Sequence, residues 1–428
     1  MESLPSYFQI ADYMFVKEDV DLLKGEIHRY FKPEDIKPPR CKRCSTPLGK
    51  IRSRHPLKLR CLDVMGLRVW IHVFRRKGSC KKCKKVRSEK IHFVSDYSPH
   101  QTKMLSDMLF KLCEIAAVSR AARFSGFDKS TLQRLDFNTL KTLLDHYDIP
   151  PTQAISVDEV YATRKRKEGQ SRDDQFLTII TDLNTHKVIW IEPSRRGTAL
   201  KRFFDKIGKK RTKEIKVVAC DQHPGYRRAL EKYCPAATIV WDRFHIIQNM
   251  NVALNDCRKL FIKMIPKSKT PAKLRGKYRF IFLKRDSKRN AQERKHIEKV
   301  QKDNNLFIQL ELIKERMYSF FEAESLEEGK EIFKEIGTWV LELGFPPLKK
   351  WYKTLSSKTH ILFNYFDYRV TTAVSEGINN VIKSLKRQAF GYRVLEYFKL
   401  KILQRCGYLN TENQCVIQIR APFTPIIE

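Results

Sequence analysis

Three short apolar runs, each ending near a carboxylate, constrain this chain more than any other feature. AISVDEVY places Asp158 beside Glu159, IKVVACDQHPGY carries β-branched residues up to Asp221 and breaks at Pro224-Gly225, and AATIVWDRFH ends its apolar stretch at Asp242. Two further apolar runs, FLTIITDL and HKVIWIEP, lie between the first and the second. Runs of this length and pattern read as strands. Strand ends are rigid, so carboxylates there point to one acidic site for a hard divalent cation, which prefers carboxylate and water oxygens beside substrate phosphates. Two such ions about 3.5 to 4 Å apart can activate an attacking oxygen and stabilise a leaving one in phosphoryl transfer. Aspartate is also a common turn residue, and each of the three taken alone reads equally as a strand terminator.

Charge narrows the partner. Over 428 residues the formal net charge is +36, and a surface so cationic calls for a polyanion. Nucleic acid fits, because counterion release from phosphates gives strong, salt-sensitive binding. No apolar run approaches the roughly 20 residues needed to span a bilayer. MESLPSYFQI lacks a basic region followed by a hydrophobic one, so a cytoplasmic protein without a membrane partner is expected. The length allows two or three domains with a sizeable core.

Within residues 1–36, FVKEDVDLLKGEIHRYF fits a short helix or a strand and helix. Eleven cysteines without a secretion signal argue for metal binding or buried thiols rather than disulfides. CKRC (Cys41, Cys44) and CKKC (Cys80, Cys83) are separated by the strand-like LKLRCLDV and LRVWIHVF. Two such knuckles joined by a hairpin give the closed tetrahedral site of structural Zn²⁺. Cys61, His55 and His72 lie between them as alternative ligands, and buried reduced thiols are the competing reading. Lys42, Arg43, Lys81, Lys82, Lys84 and Lys85 crowd the knuckles and suit phosphate.

After SPHQT come three helical stretches, TKMLSDMLFKLCEIAAV, SRAARFSGFDKSTLQRL and NTLKTLLDHY. The middle one, with a small-residue helix, Gly126 and a second helix led by Asp128, has the layout of a helix-turn-helix, with Ser130, Thr131, Gln133 and Arg134 facing the bases. The same layout serves ordinary helical bundles. Asp148-Ile149-Pro150-Pro151 ends this region. A long helix is expected from Arg243, then a very basic stretch over 267 to 302 that reads as a DNA-tracking surface, then further helices. On a last helix starting near Ser375, Glu376, Asn380, Lys383 and Arg387 fall on one face. That face combines a carboxylate for metal with cations for phosphate; a plain surface network is the alternative.

Taken together, the paired cysteines, the helix-turn-helix layout, VDEV, VVACDQHPGY, WDRFH and EGINNVIKSLKRQAFGYR resemble the ISL3 family of bacterial insertion-sequence transposases over nearly the whole chain. The resemblance implies an α/β fold: a ribonuclease H-like catalytic core with a helical insertion, preceded by a zinc-binding module and a helix-turn-helix. It implies an acidic triad of Asp158, Asp221 and Glu376 binding two Mg²⁺ or Mn²⁺ ions, and a DNA-contacting role for Lys383, with Arg387 on the same face. Asp242 and His245 match the DRFH motif, where a capping role for Asp242 is expected. The TRKRKEGQSRDDQ linker is longer and more charged than the family pattern. The expected organisation is an N-terminal segment (1–36), a zinc module (37–100), a helix-turn-helix domain (101–150), a DDE catalytic domain (151–408, insertion about 243–370) and a tail (409–428). The implied activity is metal-dependent DNA cleavage and strand transfer at terminal inverted repeats, by a nucleoid-associated bacterial protein that is at least dimeric on DNA. A non-catalytic or domesticated DNA-binding descendant is the competing class, and a nuclease that cuts without joining is a third.

Overall fold

The structure is a computed structural model and describes residues 9–34, 38–162, 171–264, 278–302, 304–370, 373–389, 391–392 and 394–410. Most of the TRKRKEGQSRDDQ linker, the first third of the basic stretch and nearly all of the tail lie outside these residues. The chain divides into two compact units: Met1–Tyr147 with Leu385–Arg405 and Leu409–Glu428, and Asp148–Ser384 with Cys406–Tyr408.

The first unit opens with β1 (Tyr13–Asp21) and β2 (Glu26–Pro33), an antiparallel hairpin where the sequence suggested a short helix or a strand and helix. Two local features decide this. Asp21 accepts a hydrogen bond from the Lys24 amide (3.0 Å) and Gly25 takes a φ of 62°, which makes a tight turn. Beyond the turn, Ile27, Arg29 and Phe31 alternate as buried residues with half-buried His28 and Tyr30, the period of two that a strand requires. β3 (Leu48–Arg60), β4 (Arg68–Cys80) and β5 (Lys85–Ser88) complete a sheet of order β1-β2-β4-β3 with β5 on β4. Thus the expected N-terminal segment shares one sheet with the cysteine module. Then follow α1 (Lys103–Ile115), α2 (Val118–Ser125) and α3 (Lys129–Asp145), which bury Leu105, Leu109, Ala121, Leu132 and Leu135 together. Gly126 closes α2 in the left-handed region (φ 69°), and the Asp128 carboxylate caps α3 by accepting from the Ser130 and Thr131 amides. NTLKTLLDHY is not a separate helix: no glycine or proline interrupts α3 before it.

The second unit is built on β6 (Ala154–Tyr161), β7 (Phe176–Asp182), β8 (Val188–Pro193), α4 (Gly197–Glu214), β9 (Val217–Cys220), α5 (Pro224–Tyr233) and β10 (Thr238–Trp241). The sheet order is β10-β9-β6-β7-β8, with β6, β7 and β8 antiparallel in succession and β9 and β10 parallel to β6. Helices α6 (Arg243–Met264), α7 (Tyr278–Leu283), α8 (Ala291–Lys302), α9 (Asn305–Glu322), α10 (Leu326–Leu343), α11 (Pro346–Ser356) and α12 (Thr359–Tyr368) follow without a described strand among them. They share an apolar core through Met250, Phe307, Met317, Phe320, Ile336 and Leu348. α12 packs on the edge strand β10, where Asn364 donates to the Ile239 carbonyl (2.8 Å). In the described part of the basic stretch, Lys284, Arg285 and Arg289 are ion-paired with Glu293, Glu322 and Glu311, so these cations serve the helical packing.

The chain continues into α13 (Ala373–Gln388) and α14 (Leu395–Cys406). Where a single domain over 151–408 was expected, Leu385–Arg405 packs with the first unit. The cause is a buried polar knot. Lys401 donates to Asp136 (3.1 Å) and to the Cys113 carbonyl (2.8 Å), and Tyr397 donates to the same Asp136 carboxylate, which is fully buried. A carboxylate without these donors would be costly to bury there.

Candidate functional site

Parallel register brings the three aspartates into one row. In the ladder of β6, β9 and β10, Val157 stands opposite Cys220 and Cys220 opposite Trp241. The next residues are Asp158, Asp221 and Asp242, on the same edge of the sheet because the three strands run the same way. The Asp242 amide still donates to the Cys220 carbonyl (2.9 Å), which keeps β10 in step past its last paired residue. Each carboxylate is steadied by a nearby amide: Asp158 by Glu159 (2.7 Å), Asp221 by His223 (2.9 Å) and Asp242 by Phe244 (2.7 Å).

α13 is fastened to this row at two points. The Ser375 hydroxyl lies 3.2 Å from that of Ser156 on β6, and the Asn379 amide donates to Asp158 Oδ2 at 2.6 Å. Glu376, one residue beyond Ser375, is exposed in the first turn of α13. Asn380, Lys383 and Arg387 are exposed as well. Asn379 and Ser375 were not singled out in the sequence; the signal was available in EGINN, since positions 375, 378 and 382 carry the buried side of the helix.

His245, near the start of α6, stands between two of the aspartates, its Nε2 3.5 Å from Asp158 and 3.6 Å from Asp242. Burial draws its pKa down, but the hydrogen bond to Asp158 and the charges of Asp242 and Asp221 outweigh this and raise it from 6.5 to about 9. Burial also raises Asp221, with Asp158 adding to the effect. Glu159 is raised by burial and by Asp221, although Arg195 holds it at 3.2 Å and opposes the shift. The carboxylates are desolvated, and the cation that faces two of them is the His245 imidazole.

The cysteines form a tighter group. Cys41, Cys44, Cys80 and Cys83 have all four sulfurs within 4.8 Å of one another, with 3.4 Å between Cys44 and Cys80 and 4.0 Å between Cys41 and Cys83. A tetrahedral ion with sulfurs at about 2.3 Å needs sulfur separations of about 3.8 Å, so the group can hold zinc. The Thr46 hydroxyl and amide pull the Cys44 thiol down to about 6, whereas contacts with Cys44, Cys80 and Cys41 push Cys83 up to about 11. Among the described residues no other His, Cys, Asp or Glu set of three or more closes this tightly, so Asp158, Asp221 and Glu376 do not form such a cage. Cys61, His55 and His72 stay outside the sulfur group; His55 is bonded to Ser53 and His72 to His28. Lys42, Arg43, Lys81, Lys82, Lys84 and Lys85 are exposed around the group. On α3, Ser130, Gln133 and Arg134 are exposed and Thr131 is half-buried, while Leu132 and Leu135 face the core. No helix among the described residues is long and apolar enough to cross a membrane.

Known proteins resemble the chain over most of its length. The chain is 23% identical over 374 residues to the transposase for insertion sequence element IS1001 of Bordetella parapertussis, covering 87% of this chain and 90% of that protein. It is 22% identical over 261 residues to the transposase for insertion sequence element IS1557 of Mycobacterium tuberculosis, 56% of each chain. The model of the ISL3-type DDE transposases, described as a transposase, matches residues 155–402, a span running from the first strand of the acidic row through α13 and most of α14. The chain belongs to the ISL3 family of DDE transposases.

Proposed function

We propose that this protein binds the terminal repeats of an insertion sequence and catalyses DNA strand cleavage and strand transfer with Asp158, Asp221 and Glu376. The observation that carries the reading is the registered row of aspartates on β6, β9 and β10 with the helix bearing Glu376 fastened against β6. The strand order β10-β9-β6-β7-β8, three antiparallel strands extended on the β6 side by two strands parallel to β6, supports a ribonuclease H-like core. Two divalent ions held by the three carboxylates would supply charge neutralisation at the attacking and leaving oxygens. Cleavage frees a 3′-hydroxyl, which then attacks target DNA; both are in-line phosphoryl transfers, so one set of carboxylates serves them in turn without a covalent protein intermediate. Lys383 and Arg387, exposed on α13 beyond Glu376, suit the phosphates of the bound strand.

Recognition falls to the first unit in this reading. α2, the Gly126 turn and α3 have the layout of a helix-turn-helix, with Ser130, Thr131, Gln133 and Arg134 at the start of the second helix. The zinc-held knuckles and their lysines position the backbone, and pairing two ends calls for at least a dimer on DNA. The test is a Mg²⁺-dependent cleavage and strand-transfer assay on DNA carrying both flanks of the gene, comparing wild type with Glu376→Gln. Cut and joined products from wild type alone support the reading. Tight binding without cleavage by either protein, with Mg²⁺ or Mn²⁺, would favour a DNA-binding descendant that has lost catalysis.

A further inference from the structure

Asp158 is held by protein donors from three elements. Its Oδ1 accepts from the Glu159 amide and faces His245, and its Oδ2 accepts from Asn379 at 2.6 Å, so donors from β6, α6 and α13 converge on one carboxylate. Only Asn379 among them stands on the helix that carries Glu376. The two are three residues apart, about one helical turn. The Ser375–Ser156 contact fixes the same helix face one turn earlier, at a buried position. An amide donor to a carboxylate is a charge-assisted bond, and Oδ2, which takes the Asn379 donor, has a second lone pair that an ion could use.

Resting on the acidic-site reading above, we infer that Asn379 is a positioning residue: it orients Asp158 for ion binding and, through the same bond, sets the distance of the Glu376 turn from β6. Partners of this kind behind a metal ligand are worth about 10- to 100-fold in metal affinity. Asparagine suits the position because it donates without adding charge. Aspartate would repel Asp158, and the shorter serine would not span the same gap.

The test measures Mn²⁺ binding to the full chain without DNA, by electron paramagnetic resonance, for wild type, Asp158→Asn, Asn379→Ala and Asn379→Gln, with folding checked by circular dichroism. Asn379→Leu, close to asparagine in shape, replaces the alanine variant if that one fails to fold. Asn379→Ala should weaken Mn²⁺ by about 10-fold or more, and Asn379→Gln, which keeps the donor, should recover part of the loss. In the cleavage assay the Mn²⁺ concentration for half-maximal rate should rise to match, with KM for DNA unchanged. Mn²⁺ affinity within about twofold of wild type for Asn379→Ala, when Asp158→Asn has lost binding, overturns the positioning role and leaves the site assignment standing. Wild-type Mn²⁺ binding by Asp158→Asn would instead overturn the site assignment, and this inference with it.

Discussion

The sulfur cluster and the aspartate row are both candidate ion sites, yet they are built in opposite ways. Four cysteines from two short turns close to within 4.8 Å on their own, with the polypeptide between them folded as a hairpin. The aspartates come from three strands, and one of them, Asp158, meets a helix residue 221 positions away and is occupied by protein donors. A closed set of soft ligands suits an ion that holds a fold, whereas hard oxygens on a rigid sheet edge suit ions that meet a substrate. On the proposed reading, the first would serve stability and the second chemistry.

That contrast breaks most readily at Glu376. Glu376→Gln should lower cleavage by roughly 10³-fold while leaving the melting temperature unchanged, since the side chain is exposed; a large melting shift, read by calorimetry, would mean that the row is structural. The converse holds for the sulfurs. Cys80→Ser should release zinc, as seen by elemental analysis, and lower the melting temperature of the first unit by on the order of 10 °C, and a chelator should do the same to wild type. Arg134→Ala, on the exposed side of α3, should weaken terminal-repeat binding by about tenfold at fixed salt without altering zinc content, which a mobility-shift titration would show. The smallest effect concerns His245. Its pKa in the folded protein lies at about 9, above the ordinary 6.5, so the stability it contributes is complete below pH 6.5 and is lost as the pH rises through 9. Without divalent ions, urea unfolding of wild type and His245→Gln should differ by on the order of 1 kcal/mol near pH 6 and by much less near pH 10; equal differences at both would show that the imidazole carries no charge there.

Local signals in the chain mark their elements well. Short apolar runs become β6, β7, β8, β9 and β10, Gly126 closes one helix, and Asp128 opens the next. The cysteine knuckles were visible as pairs because each turn is complete within four residues. The hairpin of β1 and β2 was harder to read, because apolar residues in FVKEDVDLLKGEIHRYF satisfy both a helical and an alternating period until the Asp21–Gly25 turn is recognised. The packing of α14 with the first unit was not legible for a different reason: nothing near Lys401 in sequence announces that its partner is Asp136.

What the sequence determined by itself was which residues carry chemistry: carboxylates at the ends of apolar runs, sulfurs in pairs and an excess of cations. These follow from residue type and short-range spacing. Tertiary structure alone decided that Asp158, Asp221 and Asp242 share one register, that His245 stands between two of them, and that Asn379 rather than its neighbour Asn380 turns to Asp158. Register and helix rotation are set by how whole faces pack against one another, and a one-residue slip in either would send each of these side chains elsewhere.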